Sequence, residues 1–299
     1  MVQAWSLTTV EAAGVPVGCV EVGGQFYSIA PTLARAGRTG MAQVMDLYVD
    51  WPASLAALDQ VELDPADRIV PSRRLAPLLY PGKILCAGAN YYDHLAEMGM
   101  PGARKEDQRL FFFMKPPRNA VVGEGDTVRM PIGTQAFDWE VELAAIIGTP
   151  ARNVRVENAM QYVAGWTVAI DFSARDHNRA PETFYKLDWV AGKANDTCCP
   201  LGPRIVPTAA LTDPQNTKLT LDVNGVRKQD GRTADMIFSI AEQISIASRI
   251  MTLDPGDVLL TGTPAGVGVP KGTFLAVGDR VDAAIEGIGE LSVRIQPAA

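Results

Sequence analysis

The stretch Asp138-Trp139-Glu140-Val141-Glu142-Leu143-Ala144-Ala145-Ile146-Ile147 decides how the chain is read. Trp139, Val141, Leu143, Ala145 and Ile147 are all apolar, and alternation with a period of two predicts a β-strand whose alternate side chains share a face. Glu140 and Glu142 then point the same way. Adjacent like charges repel, and the surrounding residues are too apolar to leave both freely hydrated. A divalent metal between them resolves the conflict. An edge strand with one wet face resolves it equally well, because exposed glutamates cost little.

Working outward, Trp166-Thr167-Val168-Ala169-Ile170 reads as a second buried strand ending in Asp171. Asp171 is placed either as a third oxygen ligand or as the N-cap of a helix over Ser173 to Arg179. Upstream, Lys83 to Ala87 is a strand that runs into Gly88-Ala89-Asn90-Tyr91-Tyr92-Asp93-His94-Leu95-Ala96-Glu97-Met98-Gly99. Asn90 reads as the N-cap and Gly99 as the stop of a helix of about two turns. His94 and Glu97 share one side of it, as a general base with its orienting carboxylate or as a surface pair. The chain contains two histidines, His94 and His177. Residues Pro101 to Arg109 read as a mobile loop that would let the helix act as a lid. Lys115 reads as a ligand contact or an exposed strand end, and Lys193 alone would be placed in solvent.

Residues 4 to 29 form a meander of strands at Trp5 to Val10, Val15 to Val22 and Gln25 to Ile29, followed by helical pieces around Met41 to Leu47 and Pro52 to Leu58. Proline punctuation from Asp64 to Pro81 predicts a surface linker, and so a division into residues 1–80 and 81–299. Farther on, Asn224-Gly225 marks a hairpin, and a helix is expected over Asp235 to Met251 from apolar steps of three and four. Thr261-Gly262-Thr263-Pro264-Ala265-Gly266-Val267-Gly268 allows close backbone approach to a ligand but lacks the Gly-Lys-Ser/Thr ending of a phosphate loop. Arg280 to Ile285 and Leu291 to Ile295 close the chain as a hairpin.

Composition narrows the function. Hydrophobic residues make up 47% and charged residues 20% of the 299, which is ordinary for a globular protein. A net charge of −7 without a basic cluster disfavours nucleic acid as a partner. No apolar run has the length of a membrane span and Met1-Val-Gln-Ala-Trp is unlike a signal peptide, so a cytoplasmic protein is expected. Cys19, Cys86, Cys198 and Cys199 show no zinc spacing and read as reduced thiols.

Taken in register, several segments resemble the fumarylacetoacetate hydrolase family over residues 82 to 295. They are Gly88 to Tyr91 with His94 and Glu97, Asp138 to Leu143, Ala169 to Asp176, Gly192-Lys193 with Asp196, Gly202-Pro203, Val223-Asn224-Gly225 and Asp254 to Gly268. Residues before 80 resemble the extra N-terminal domain of long bacterial members. The resemblance implies an α+β, mainly β fold: a mixed β-sandwich or β-roll core with a small β-rich N-terminal domain, paired as a homodimer. It makes Glu140, Glu142 and Asp171 ligands of Mg²⁺, Mn²⁺ or Ca²⁺, and all-oxygen ligation favours these over zinc. His94 and Glu97 match a water-activating dyad, Lys193 a catalytic cation, and Tyr91, Arg175 and Thr263 substrate contacts. The implied reaction is hydrolysis of the C–C bond of an acylpyruvate or 2,4-diketo acid to pyruvate and a carboxylic acid. Oxaloacetate-type decarboxylation, keto-enol isomerisation and non-catalytic binding of keto acids are the alternatives. Trp139 and Trp166, His177-Asn178 and Ala194-Asn195 depart from the commoner family pattern, which leaves the acyl half of the substrate open.

Overall fold

The computed structural model describes residues 5–298. Residues 1–4, with which the argument against a signal peptide begins, and residue 299 lie outside it. Two sheets form the body of the molecule. The larger has twelve strands, ten of them in one continuous path. At its centre lies Val141–Ile147, antiparallel to Val163–Ile170 on one side and to Val258–Leu260 on the other. Beyond Val258–Leu260 come Ile84–Gly88, parallel, and Phe111–Lys115. The smaller sheet carries five strands in the order Val226–Arg232, Lys218–Val223, Arg280–Ile285, Gly289–Gln296 and Thr127–Arg129. This is the mainly β, α+β sandwich that the sequence implies.

The central strand is buried on both faces, which rules out the wet edge. Its odd residues Val141, Leu143 and Ala145 pack with Trp166, Val168 and Ile170 against Leu219, Leu221, Val281 and Ala283 of the smaller sheet. Its even residues Ala144 and Ile146 face the other way, into a core with Ile84, Cys86 and Leu260. Glu140 lies just outside the strand, since pairing breaks between Phe137–Asp138 and Val141–Ile147.

The N-terminal strands Ser6–Ala12, Val15–Val22 and Gln25–Ser28 form the expected meander. They continue the large sheet through Leu7 opposite Ile205 of Cys199–Pro207. Leu7, Val20, Leu33 and Trp51 share one core with Ile84, Ala144 and Leu260, so the segments on either side of residue 80 are packed together.

Local signals account for most boundaries. Asn224 and Gly225 both take positive φ, 51° and 77°, as the tight turn before Val226–Arg232 requires. The long helix runs over Ile240–Ile250, not from Asp235, because Ser239 and Glu242 close a capping box there, and Thr233–Asp235 is a separate turn of 3₁₀ helix. The helix bearing His94 spans Tyr92–Glu97. Asn90 is not its cap: its amide donates to the carbonyls of Phe238 and Thr261 at 3.0 and 2.9 Å and accepts from Phe238 N–H at 2.8 Å. Asn90 therefore ties the start of this helix to two segments remote in sequence.

Candidate active site

Glu140, Glu142 and Asp171 converge where the central strand and its neighbour Val163–Ile170 end side by side. Each offers an oxygen within 4.8 Å of the others, and they are 5%, 2% and 0% exposed. Three carboxylates so deep in the protein need compensating charge. Part of it comes from three cations. Lys193 Nζ bridges Glu140 and Asp171, at 2.7 Å from the latter. Arg175 donates from Nε to Asp138 at 2.9 Å and from Nη2 to Glu140 at 2.7 Å. Lys115 Nζ lies 2.7 Å from Asp171 Oδ1.

The charges are unevenly distributed over the three acids. Burial alone would raise the Glu140 carboxyl, but Arg175 and Lys193 outweigh it and hold Glu140 well below the usual carboxylate range. Glu142 makes no ion pair among the described residues, and Lys193 lowers it too little to compensate. Burial, with Asp171 and Glu140 beside it, pushes its carboxyl well above that range, although Gly262 N–H donates to it at 2.5 Å. The donor set fits a hard divalent cation: all oxygens, all buried, with one acid that its present surroundings leave under-compensated. Glu140, Glu142 and Asp171 would hold such an ion.

The short helix brings His94 to the acids, with Glu97 behind it. His94 is buried, and its Nδ1 lies 3.0 Å from Glu97 Oε1. Glu97 is itself held by the glycine loop, accepting from Gly266 N–H at 2.9 Å, while Asp93 accepts from Ala265 N–H at 3.2 Å. The helix is thus latched onto residues 265–266, and the imidazole is oriented by a carboxylate whose other contacts are backbone. Residues 101–109 carry ion pairs, Arg104 with Asp107 at 2.8 Å and Lys105 with Glu242 at 2.6 Å.

A cavity of about 190 Å³ brings together His94, Glu140, Glu142, Asp171, Arg175, Lys193 and Thr263. Tyr91 is not part of its lining; it is fully buried in the main core, its hydroxyl without a partner. The second histidine, His177, lies outside the cavity as well. The Thr263 hydroxyl donates to Val141 C=O at 2.8 Å and accepts from Gln229 Nε2 at 2.8 Å.

Two more buried residues support the site, Gln229 without any sequence signal and Lys115 with a weak one. Gln229, fully buried, accepts from Val141 N–H at 2.9 Å, satisfying the backbone where sheet pairing fails beside the acids. Lys115 is 1% exposed and donates to the carbonyls of Phe172, Lys193 and Cys198 at 2.9, 2.6 and 2.9 Å. Burial alone would lower its ammonium, but Asp171 outweighs that and keeps it charged. A lysine at the end of an apolar strand, followed by proline, was the available hint.

Comparison with known proteins follows the same lines. A family profile described as fumarylacetoacetate (FAA) hydrolase C-terminal matches residues 83–296. Mitochondrial oxaloacetate tautomerase fahd2 of Xenopus laevis is 40% identical over 220 residues, 73% of this chain and 66% of the relative. Human mitochondrial oxaloacetate tautomerase FAHD2A is 42% identical over 217 residues, 72% of this chain and 67% of the relative. The aligned region thus spans about two thirds of the length of these curated relatives. Among solved structures, a fumarylacetoacetate hydrolase from Exiguobacterium antarcticum superposes with a TM-score of 0.80 at 32% identity, covering 98% of this chain and 99% of that one. Fumarylpyruvate hydrolase from Pseudomonas aeruginosa, in complex with Mn²⁺ and pyruvate, gives 0.65 at 34% identity over 78% and 93%. Among the described residues no helix is long and apolar enough to cross a membrane.

Proposed function

The chain belongs to the fumarylacetoacetate hydrolase family, and from that premise we propose that it hydrolyses the C–C bond of an acylpyruvate or 2,4-diketo acid with the aid of Mg²⁺ or Mn²⁺. The observation that carries this reading is buried His94, its Nδ1 held by Glu97, lining one cavity with the acidic cluster. Binding alone has no use for an imidazole whose Nδ1 is fixed by a carboxylate that the backbone in turn fixes.

A divalent cation held by Glu140, Glu142 and Asp171 supplies Lewis-acid polarisation of the 2-keto acid end of the substrate. The protein's residues do the rest. His94 takes a proton from water, and the oxygen bonds to the distal keto carbon, C4. The C3–C4 bond then breaks, its electron pair passing to C3 to give the pyruvate enolate and a free carboxylic acid. His94, now protonated, returns the proton to C3. Lys193, within reach of the cluster, stabilises negative charge as it develops on the substrate oxygens. Arg175 keeps Glu140 ionised and aligned, and Gln229 and Thr263 hold the backbone beside it. The proposal includes the homodimer that the resemblance implies, which sedimentation equilibrium would check.

A second reading rests on the curated relatives named as oxaloacetate tautomerases. Proton transfer at C3 by the same imidazole would interconvert keto and enol forms without attack by water. The deciding experiment supplies acetylpyruvate, other acylpyruvates and oxaloacetate with Mg²⁺, and follows pyruvate, released acid and the enol absorbance separately. Hydrolysis predicts equal amounts of pyruvate and acid. Enol decay on oxaloacetate with no acid from any diketone would establish the tautomerase instead.

A further inference from the structure

The cavity is chemically divided. Its lining combines the buried acids, with Arg175 and Lys193, and an apolar wall of Leu95, Met98, Met100, Phe111, Phe113 and Trp189. We propose that this wall receives the variable half of the substrate, and that this half is an uncharged alkyl or aryl group, not a second carboxylate or a polyol. The inference deepens the proposed function and rests on it for the identity of the constant, keto-acid half.

Three observations carry it. The aromatic residues form one packed unit: Trp189 stacks on Phe113 at 5.2 Å between ring centroids and meets Phe111 at 5.2 Å with the rings tilted. The Phe111 ring lies so close over Gly88 that a Cβ there would come within 2.1 Å of it, so absence of a side chain at 88 is what permits this wall. Phe111 and Met100 nevertheless remain 36% and 52% exposed, apolar surface at the cavity that a ligand would cover.

Charge points the same way. The cations lining the cavity are Arg175 and Lys193, and both are already bound to acids, Arg175 to Asp138 and Glu140 and Lys193 to Glu140 and Asp171. Lys193 also sits 4.9 Å over the Phe113 ring, which places the aromatic unit beside the acids. Of the uncharged polar side chains in the lining, His94 is held by Glu97, the Thr263 hydroxyl is bonded to Val141 C=O and Gln229, and the Asn178 amide nitrogen donates to Asp188 C=O at 3.2 Å. A distal carboxylate seated on this wall would lose water and meet no lining cation other than Arg175 and Lys193, which the acids and the keto-acid half engage. Oxaloacetate and a fumaryl tail both carry that carboxylate.

The test is direct binding with Mg²⁺ present, using unreactive 2-keto acids: pyruvate, 2-oxohexanoate, 4-phenyl-2-oxobutanoate, 2-oxoglutarate and a hydroxylated 2-keto-3-deoxy acid. Each fully buried methylene contributes roughly a fourfold factor in affinity. With the tail half covered, the three extra carbons of 2-oxohexanoate should tighten binding about eightfold over pyruvate and the phenyl compound more than tenfold. 2-Oxoglutarate and the hydroxylated acid should gain nothing over pyruvate. Trp189→Ala should remove most of the advantage of the phenyl tail, read as the ratio of its affinity to that of pyruvate. 2-Oxoglutarate or the hydroxylated acid binding more tightly than the phenyl compound would overturn the inference. Apolar preference without cleavage of any acylpyruvate would sustain it while refuting the hydrolase. Cleavage with preference for a carboxylate tail would do the reverse, and no saturable binding of any keto acid would overturn both.

Discussion

Replacing Lys115 by methionine removes an ammonium but nearly preserves the side chain's length and apolar stem. Lys115 is 1% exposed, and its Nζ serves Asp171 and three backbone carbonyls, those of Phe172, Lys193 and Cys198. Breaking a buried ion pair from one side typically costs about 3–5 kcal/mol, since the remaining charge keeps its desolvation penalty. Each orphaned carbonyl adds a further penalty of about 1–3 kcal/mol when nothing replaces its donor, although such terms do not sum within one network. Relaxation of the carbonyls toward water brings the expected loss back to about 3–5 kcal/mol. For 299 residues, an unfolding entropy of about 2.1 cal/mol/K per residue gives about 0.6 kcal/mol/K, so Tm should fall by about 5–8 °C. The assay is calorimetry of wild type and Lys115→Met without metal and at saturating Mg²⁺. The ion should recover more stability in the variant than in wild type, because Asp171 then has greater need of a cation. A Tm change under about 2 °C, or equal recovery by Mg²⁺ in both proteins, would refute the role assigned to this lysine.

Other outcomes follow from the same geometry. Glu142→Gln should weaken Mg²⁺ or Mn²⁺ binding by at least tenfold in calorimetric titration, and equal affinities would remove the site from this strand. Because burial and its acidic neighbours raise the Glu142 carboxyl, a binding cation must displace its proton. Metal affinity should therefore fall as pH drops below that raised value, by up to about tenfold per pH unit for one proton, with proton release visible as a dependence of binding heat on buffer ionisation. The linked sign for folding without metal is a loss of stability as pH rises from the ordinary carboxylate range to the raised one, and Mg²⁺ should offset it. His94→Ala should reduce acylpyruvate hydrolysis by about 10²–10⁴-fold with metal affinity within twofold of wild type, whereas loss of metal binding would make the imidazole a ligand.

Period-two alternation alone places Glu140 and Glu142 on one face, and strand-end logic offers Asp171 as their third partner. Local patterns also announced the Asn224-Gly225 turn, the N-terminal meander and the residues that line up with the family. Such features need only nearest neighbours along the chain. What alternation could not decide was whether the glutamate face is wet or buried, because that depends on what packs over it, and Ala144 and Ile146 on that face lie in a core with Ile84, Cys86 and Leu260. Asn90 differs from its local signal for the same reason: a cap is a local bond, whereas its amide reaches Phe238, 148 residues away. Gln229 meets Val141 across 88 residues, and Lys115 finds its carbonyls in three separate segments. Buried polar groups must be satisfied, but the partner is chosen by the packing of whole sheets, so these contacts were decided only when the chain closed on itself.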